Sequence, residues 1–483
     1  MTFSYDVDAR VVGSGVAAVD LFAALYLHDP AAFWLDSGGN GRFSMMGSAD
    51  GVRAHTVRYR RGTGHVTVAF ADGRVDERPG DVFAFLEESL ARHAVPVPSA
   101  LPCPFALGYV GYLGYELRGE TMGVDVAHPS PHDDAHLVFA ERAVVVDHRT
   151  GDVHGLALVS AGDDELTAAS RAWLDELPAR IAALDRLSLD PLPTPTLDLA
   201  EIEARFEQRH THDEYVRLVR QCQEHIRRGE SYELCLTNEF RTDRLVDPWT
   251  VYLRLRALSP VPHGAYLACG GVTVLSASPE RFLAVDVDGV VEARPIKGTR
   301  PRGATAADDE RLRDELGASV KDRAENLMIV DLLRNDLSKV CEVGSVRVPQ
   351  LFEVETFPLV HQLVSTVRGR LRAGRSAVAC TVAAFPGGSM TGAPKRRTVE
   401  ILEELEDGPR GIYSGALGWF SLSGAADLSI VIRTIVVAPG GATFGVGGAV
   451  TALSDAEDEY AETLVKARAM AAALLDAGGS PGR

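Results

Sequence analysis

Lys297 is the residue in this sequence whose position most invites chemistry. It lies in SPERFLAVDVDGVVEARPIKGTRPRG, where Asp288-Gly289 reads as a two-residue type I′ hairpin turn and the returning strand delivers the lysine just past its end. Gly298 follows it and allows close approach. Arg294, Arg300 and Arg302 crowd the same stretch, and neighbouring cations disfavour a protonated amine, which is one route to a nucleophilic lysine near neutral pH. A solvated lysine beside a turn would give the same pattern.

Acidic pairs spaced three apart occur twice on expected helices, Asp322 with Glu325 and Glu459 with Glu462, so each pair shares a helix face. Such faces can hold a hard cation: magnesium takes a few carboxylates together with water and substrate oxygens. Helix-end electrostatics accounts for the second pair equally well, because Ser454 and Glu457 read as a capping box at that helix start. FPGGSMTGAPKRRTVEILEEL places a glycine-rich turn before a helix, with Pro394 at its first turn, and backbone amides there can bind an anion. It matches neither nucleotide-binding glycine pattern. Arg433 falls inside the apolar run LSIVIRTIVV, where a guanidinium needs a bidentate carboxylate partner, from a ligand or from the core. Gly445, Gly447 and Gly448 leave backbone exposed at a strand end, for ligand approach or for tight packing.

The elements that would position these residues are legible in outline. Residues 1–185 show β alternation broken by turns, as in VRAHTVRYRRGTGHVTVAF, with helical stretches such as DVFAFLEESLARH. The Pro-rich DPLPTPTLDLAEI marks a connector at 186–205, and a second lobe spans 206–478. There, Thr211 and Glu214 form a capping box, and apolar spacing predicts a helix to Gly229. Two β meanders follow, turning at Gly270-Gly271, Asp288-Gly289, Gly424 and Gly440-Gly441, with KDRAENLMIVDLLRNDL between them as a long helix.

Composition excludes several classes. With 46% hydrophobic and 24% charged residues the chain is globular, and a net charge of −18 argues against nucleic acid and anionic membranes as partners. No stretch reaches the roughly 18 apolar residues of a membrane span, and the start carries no secretion signal, so a cytoplasmic location is expected. The six cysteines are scattered singly and read as reduced and mostly buried.

Taken in order, SPERF, PIKGTRPRG, AENLMIVDLLRND, FPLVHQLVSTVRG, FPGGSMTGAPK, IVIRT and DEYAETLVKAR resemble the chorismate-utilising family. That family includes anthranilate synthase large subunits, isochorismate and salicylate synthases, and aminodeoxychorismate synthases. The resemblance covers the whole second lobe and, through FALGYVGYLGYEL and FSMMGS, touches the first. It implies an α+β, anthranilate synthase component I-like two-lobed fold of antiparallel sheets with helices outside. It also implies that Glu325 and Glu462 bind Mg2+, with Glu459 near the metal, and that the metal clamps the C1 carboxylate of chorismate. His361, Thr391, Tyr413, Arg433, Gly447 and Gly448 then stand where relatives hold the substrate.

Within the family, lysine in PIKGT is the form typical of aminodeoxychorismate synthases, and Glu233 stands where the water-using members place a lysine base. The resemblance thus implies that Lys297 adds at C2 as Glu280 protonates the departing C4 hydroxyl, and that ammonia then adds at C4. No G-x-C-x-G nucleophile segment is visible, so a separate class I glutamine amidotransferase subunit, in a heterodimer, is the expected ammonia source. In relatives the first lobe can bind tryptophan, and WLDSGGNGRFSMMG, including Ser37, occupies the corresponding region. The competing readings are an anthranilate synthase component I that carries lysine, and a non-catalytic chorismate-binding subunit.

Overall fold

The computed structural model describes residues 5–38, 41–97, 101, 103–184, 197–357 and 360–475. Among the described residues the strands form two 12-stranded sheets. Every pairing between named strands is antiparallel. The expected α+β class with antiparallel sheets is therefore what the chain adopts.

Period-two alternation explains how the layers separate. Along the strand Arg142–Asp147, Ala143 and Val145 enter the core between the sheets with Tyr109, Leu137 and Phe139. Val144 and Val146 point the other way, under the helix Asp164–Ala182 with Trp173, Leu174 and Leu177. Each such valine contributes ~1.5–3 kcal/mol by leaving water, so a one-residue slip would expose a whole face. Both sheets run through strands from either side of the expected connector. Phe33–Asp36 pairs with His263–Cys269 in one sheet, and Gly108–Leu113 pairs with Ala416–Ser421 in the other. Residues 185–196, which hold most of the Pro-rich connector, lie outside the described residues; Leu199–Arg205 is a helix with a capping box from Asp198 and Glu201.

Several local expectations hold and several do not. The Thr211–Glu214 box caps the helix His212–Arg227, and Gly229 ends it with φ 74°. The long helix runs Val320–Ser338. The turn at Asp288-Gly289 is not type I′, because only Gly289 has positive φ and Asp286 accepts the amides of Asp288 and Val290 across a wider loop. At the last helix, Ala456–Leu475, Asp455 replaces Ser454 as the cap: its carboxylate takes the Glu457 and Asp458 amides, while Ser454 Oγ takes the Thr451 amide. All six cysteines are buried and unpaired. No helix among the described residues is long and apolar enough to cross a membrane.

Candidate active site

The chain passes between the two sheets at corners, and two of them lie side by side. One joins the strands Val272–Ser278 and Arg281–Val285 through Glu280; the other joins Ala426–Ile430 and Thr434–Ala438 through Arg433. Ile430 donates its amide to the Glu280 carbonyl at 3.0 Å, and Ala277 donates to the Arg433 carbonyl at 3.0 Å. Arg433 is thus not inside a continuous strand as its apolar run suggested; it sits between sheets with φ 50°. Its half-buried guanidinium is pulled below its ordinary pKa by burial and has no carboxylate partner among the described residues. The Glu280 carboxyl, buried and hydrogen-bonded to Ser389, is pushed up to about 7 by that burial, against the opposing pull of Ser389 and Lys297. It can hold a proton near neutrality.

Lys297 lies in the strand Ile296–Pro301, at the edge of one sheet, where the register against Val360–Arg370 slips between Ile296 and Thr299. A bulge of this kind re-aims a side chain. Gly298, φ 85°, permits the helix Val320–Ser338 to come close, since a Cβ there would lie 2.7 Å from Asp322 Cγ. The amine reaches across to the other sheet and donates to Glu233 Oε1 at 2.7 Å, with 12% of the lysine side chain and 2% of the glutamate accessible. The expected cationic surroundings are a correction. Arg294 pairs with Glu355, Arg300 with Glu315 and Asp322, and Arg302 with Asp309, so each arginine already has an anion. Burial pulls the Lys297 pKa down, but Glu233 and Glu325 outweigh it and hold it above its ordinary value. At rest the amine is protonated.

The acidic pairs divide. Asp322 is engaged by Arg300 at 3.1 Å and does not join Glu325. The Glu325 carboxyl is pushed up to about 7 by burial, with Lys297 pulling down and Glu233 pushing up. Glu459 is buried and raised by burial, with the Glu462 charge adding to it; Lys321 stands 3.8 Å away. Glu462, half exposed, is held below its usual range: burial pushes it up, and Lys466 at 2.7 Å and Lys321 overcome that. Both Glu325 and Glu462 feel the Lys297 charge, and Lys321 brings the helix Val320–Ser338 within 3.8 Å of Glu459 on Ala456–Leu475. Among the described residues no three acidic or metal-binding side chains are drawn together around a common point. The donors are hard carboxylate oxygens whose mutual repulsion is relieved by Lys321 and Lys466, the condition a divalent cation would also satisfy.

The remaining expected residues are placed as follows. His361 is buried between Thr356 and Asp309, each 2.9 Å from one ring nitrogen. Thr391 is buried; its hydroxyl donates to the Gly387 and Gly388 carbonyls at 3.3 and 3.2 Å, and its carbonyl accepts the Cys235 amide at 2.8 Å. Tyr413 is buried, its hydroxyl pushed up by that burial, and its ring lies on Gly445, where a Cβ would be 2.2 Å away. Gly448 faces Glu459, and the Gly447 carbonyl accepts from Lys466 at 2.8 Å. Gly387 and Gly388 are small because Ile430 and Leu332 press on them, so that turn is packed. Ser37 donates to the Gly41 carbonyl at 3.2 Å, beside the Asp36–Arg256 pair at 2.5 Å.

Sequence reasoning missed the buried support behind this site. Arg410 donates to Glu406 at 2.7 and 2.8 Å, to the Cys235 carbonyl at 2.9 Å and to the Met390 carbonyl at 2.6 Å, while Glu406 accepts the Thr237 amide at 2.8 Å. Its i, i+4 spacing was visible, but nothing in the spacing distinguishes it from a surface pair.

Two antiparallel sheets thus carry, at their adjoining corners, an arginine with no carboxylate partner among the described residues and a carboxyl pushed up to about 7, with the charge of the buried edge-strand lysine felt at that carboxyl. The chorismate binding enzyme family matches residues 32–472, and the chain belongs to it. The chain is 48% identical to an aminodeoxychorismate synthase of Streptomyces pristinaespiralis over 98% of this chain and 66% of that protein. It is 36% identical to aminodeoxychorismate synthase component 1 of Salmonella typhimurium, over 93% of this chain and 94% of that one. Anthranilate synthase component I from Streptococcus pneumoniae has the same fold, with TM-score 0.75 and 27% identity over 89% of this chain and 92% of that one. The chain spans between 50% and 66% of the length of four curated aminodeoxychorismate synthases.

Proposed function

We propose that the chain aminates chorismate at C4, forming 4-amino-4-deoxychorismate from chorismate and ammonia. The observation that carries this reading is Lys297, buried and reaching from one sheet to Glu233 on the other, its charge felt by the Glu280 carboxyl. In this reading the neutral amine adds at C2 as the double bond shifts and Glu280 gives its proton to the departing C4 hydroxyl, which leaves as water. Ammonia then adds at C4, the double bond returns and the lysine leaves. Two displacements put nitrogen on the carbon that lost oxygen. Similarity to aminodeoxychorismate synthases supports the same product.

Arg433 is proposed to take a substrate carboxylate, which would end its lack of a partner. His361, Thr391, Tyr413 and the Gly447-Gly448 backbone are proposed to frame the ring, so that the reaction runs away from water. Glu325 and Glu462, with Glu459 beside them, are proposed to hold magnesium, which when bound supplies charge neutralisation for the C1 carboxylate. Ammonia is proposed to come from a class I glutamine amidotransferase partner; the component 1 name of the Salmonella relative supports a companion component. A tryptophan ligand near Ser37 rests on the resemblance alone.

Incubation with chorismate, magnesium and ammonium, followed by product identification, tests the reading. Aminodeoxychorismate without pyruvate is expected; anthranilate with pyruvate would overturn it in favour of the anthranilate synthase alternative. Lys297→Ala should abolish amination, and Glu325→Gln should do so with the fold intact.

A further inference from the structure

Glu233 has a property that anchoring a lysine does not require. One carboxylate oxygen accepts from Lys297 at 2.7 Å, and the other, Oε2, is fully buried with no hydrogen-bond partner among the described residues. That oxygen is a buried acceptor that no protein donor among the described residues uses, beside the amine whose hydrogens the same carboxylate already takes. Its backbone is fixed: Ser231 Oγ donates to the Glu233 carbonyl at 2.9 Å, and Gly392 packs so closely that a Cβ would lie 1.9 Å from that oxygen. Arg410 holds the Cys235 carbonyl two residues on, from behind the strand. The acceptor is therefore rigid and aimed at the amine.

We propose that Glu233 is the base that takes the proton from Lys297 and so makes the amine nucleophilic. This rests on the covalent reading of Lys297. The ammonium N–H bond breaks, the Glu233 O–H bond forms, and an ion pair becomes a neutral amine beside a neutral acid. In a site closed over substrate that exchange removes two charges from a medium that solvates them poorly. The amine lone pair then forms the bond to C2, and the proton from Glu280 leaves with the hydroxyl as water. When ammonia adds at C4, Lys297 departs as the neutral amine, the new C4 ammonium returns a proton to Glu280, and Glu233 hands its proton back to Lys297. The sum is chorismate plus ammonia giving aminodeoxychorismate plus water.

Other charges face the pair. Glu325, Asp322 and Lys321 lie on the helix Val320–Ser338, Glu462, Glu459 and Lys466 on Ala456–Leu475, and Glu280 at the sheet corner. Cys235 lies on the same strand, backed by Arg410 and Glu406. Among these described groups only Glu233 hydrogen-bonds the amine, and Glu280 is already committed as the acid.

The test compares wild type with Glu233→Gln, which keeps the side-chain length but cannot accept the proton. Rates are measured with chorismate, magnesium and ammonium chloride across the neutral to alkaline range, and the ratio of the two kcat values cancels the titration of Glu280 and of ammonia. The variant should be on the order of 100-fold slower at pH 7, and the ratio should narrow about tenfold per pH unit as hydroxide takes over deprotonation. A ratio independent of pH, or a variant within twofold of wild type, overturns the base role. Should circular dichroism show Glu233→Gln unfolded, Glu233→Asp decides: its ratio to wild type should be flat with pH, and a narrowing ratio overturns the proposal. Lys297→Ala separates the two claims. If it aminates at the wild-type rate, the covalent reading fails and the base role with it; if it is inactive and the glutamine ratio is flat, only the base role fails.

Discussion

Ala277 donates its amide to the Arg433 carbonyl at 3.0 Å, and with the Ile430 amide on the Glu280 carbonyl this bond laces together the two corners that cross between the sheets. The arginine backbone there has φ 50°, and its side chain has no carboxylate partner among the described residues. A half-buried guanidinium with no carboxylate partner among the described residues costs stability in the free protein. Arg433→Met should therefore raise the melting temperature, by the equivalent of about 1 kcal/mol or more. Backbone strain is the same for both residues and cancels. The same change should lower kcat/KM for chorismate by ~2–5 kcal/mol of lost charge pairing, roughly 30-fold to several thousand-fold. A variant that melts lower than wild type would show that Arg433 supports the fold instead.

The Glu280 carboxyl gives a second prediction, in pH. Its folded pKa, about 7, lies above the usual carboxylate value because of burial, so the native state keeps a proton that the unfolded chain releases. That contribution is fully present below the unfolded pKa and is lost as pH rises through about 7. Glu325 and Glu116, also about 7, act in the same direction. Buried His55 and His136 and half-buried His263, pulled by desolvation to about 4, act oppositely, adding stability that is lost as pH falls from the ordinary histidine value. The raw melting curve thus mixes the two, and a difference isolates one. Glu280→Gln should gain on wild type in melting temperature from mildly acidic to mildly alkaline pH; a difference that shrinks over that range is the contrary result.

How much of this was legible in the sequence follows from range. The helices His212–Arg227 and Val320–Ser338 were readable because capping and apolar spacing are local. Lys297 and Glu280 stood out by motif, but the environment of the lysine was misjudged: three arginines nearby in sequence suggested positive charge, and each has its own carboxylate in space. The anion that matters, Glu233, is 64 residues away on the other sheet. Arg433 looked like a strand residue because an apolar run reads the same whether the chain continues in one sheet or crosses to the next. Ser454 lost the cap to Asp455, one residue closer to the helix start, since either side chain can accept from the first-turn amides.

Arg410 and Glu406 allow a stability prediction that is independent of the chemistry. Both are buried, and the pair holds the strand Glu233–Thr242 from behind through Cys235 and Thr237. Removing one partner leaves an uncompensated buried charge, so Arg410→Ala should destabilise by about 3–5 kcal/mol in urea unfolding. The double change Arg410→Met with Glu406→Met should recover part of that loss. If the double variant is less stable than Arg410→Ala, the pair contributes more than mutual neutralisation.

The glycines of the strand Gly441–Val450 differ in what a methyl group would meet, and their alanine variants should differ accordingly. At Gly445 a Cβ would fall 2.2 Å from Cδ1 of the buried Tyr413 ring, with two more ring atoms within 2.7 Å. Gly445→Ala should overpack that contact, costing ~1–3 kcal/mol and displacing the ring. At Gly448 the nearest atom is Glu459 Oε2 at 2.8 Å, the end of a side chain that can swing aside. Gly448→Ala should leave urea stability within about 0.5 kcal/mol. The displaced carboxylate should nonetheless weaken magnesium activation, read as a higher metal concentration for half-maximal rate with an unchanged rate at saturation. Equal stability losses for the two variants would mean that the Tyr413 ring is free to move, and unchanged metal dependence in Gly448→Ala would place Glu459 outside the metal's reach.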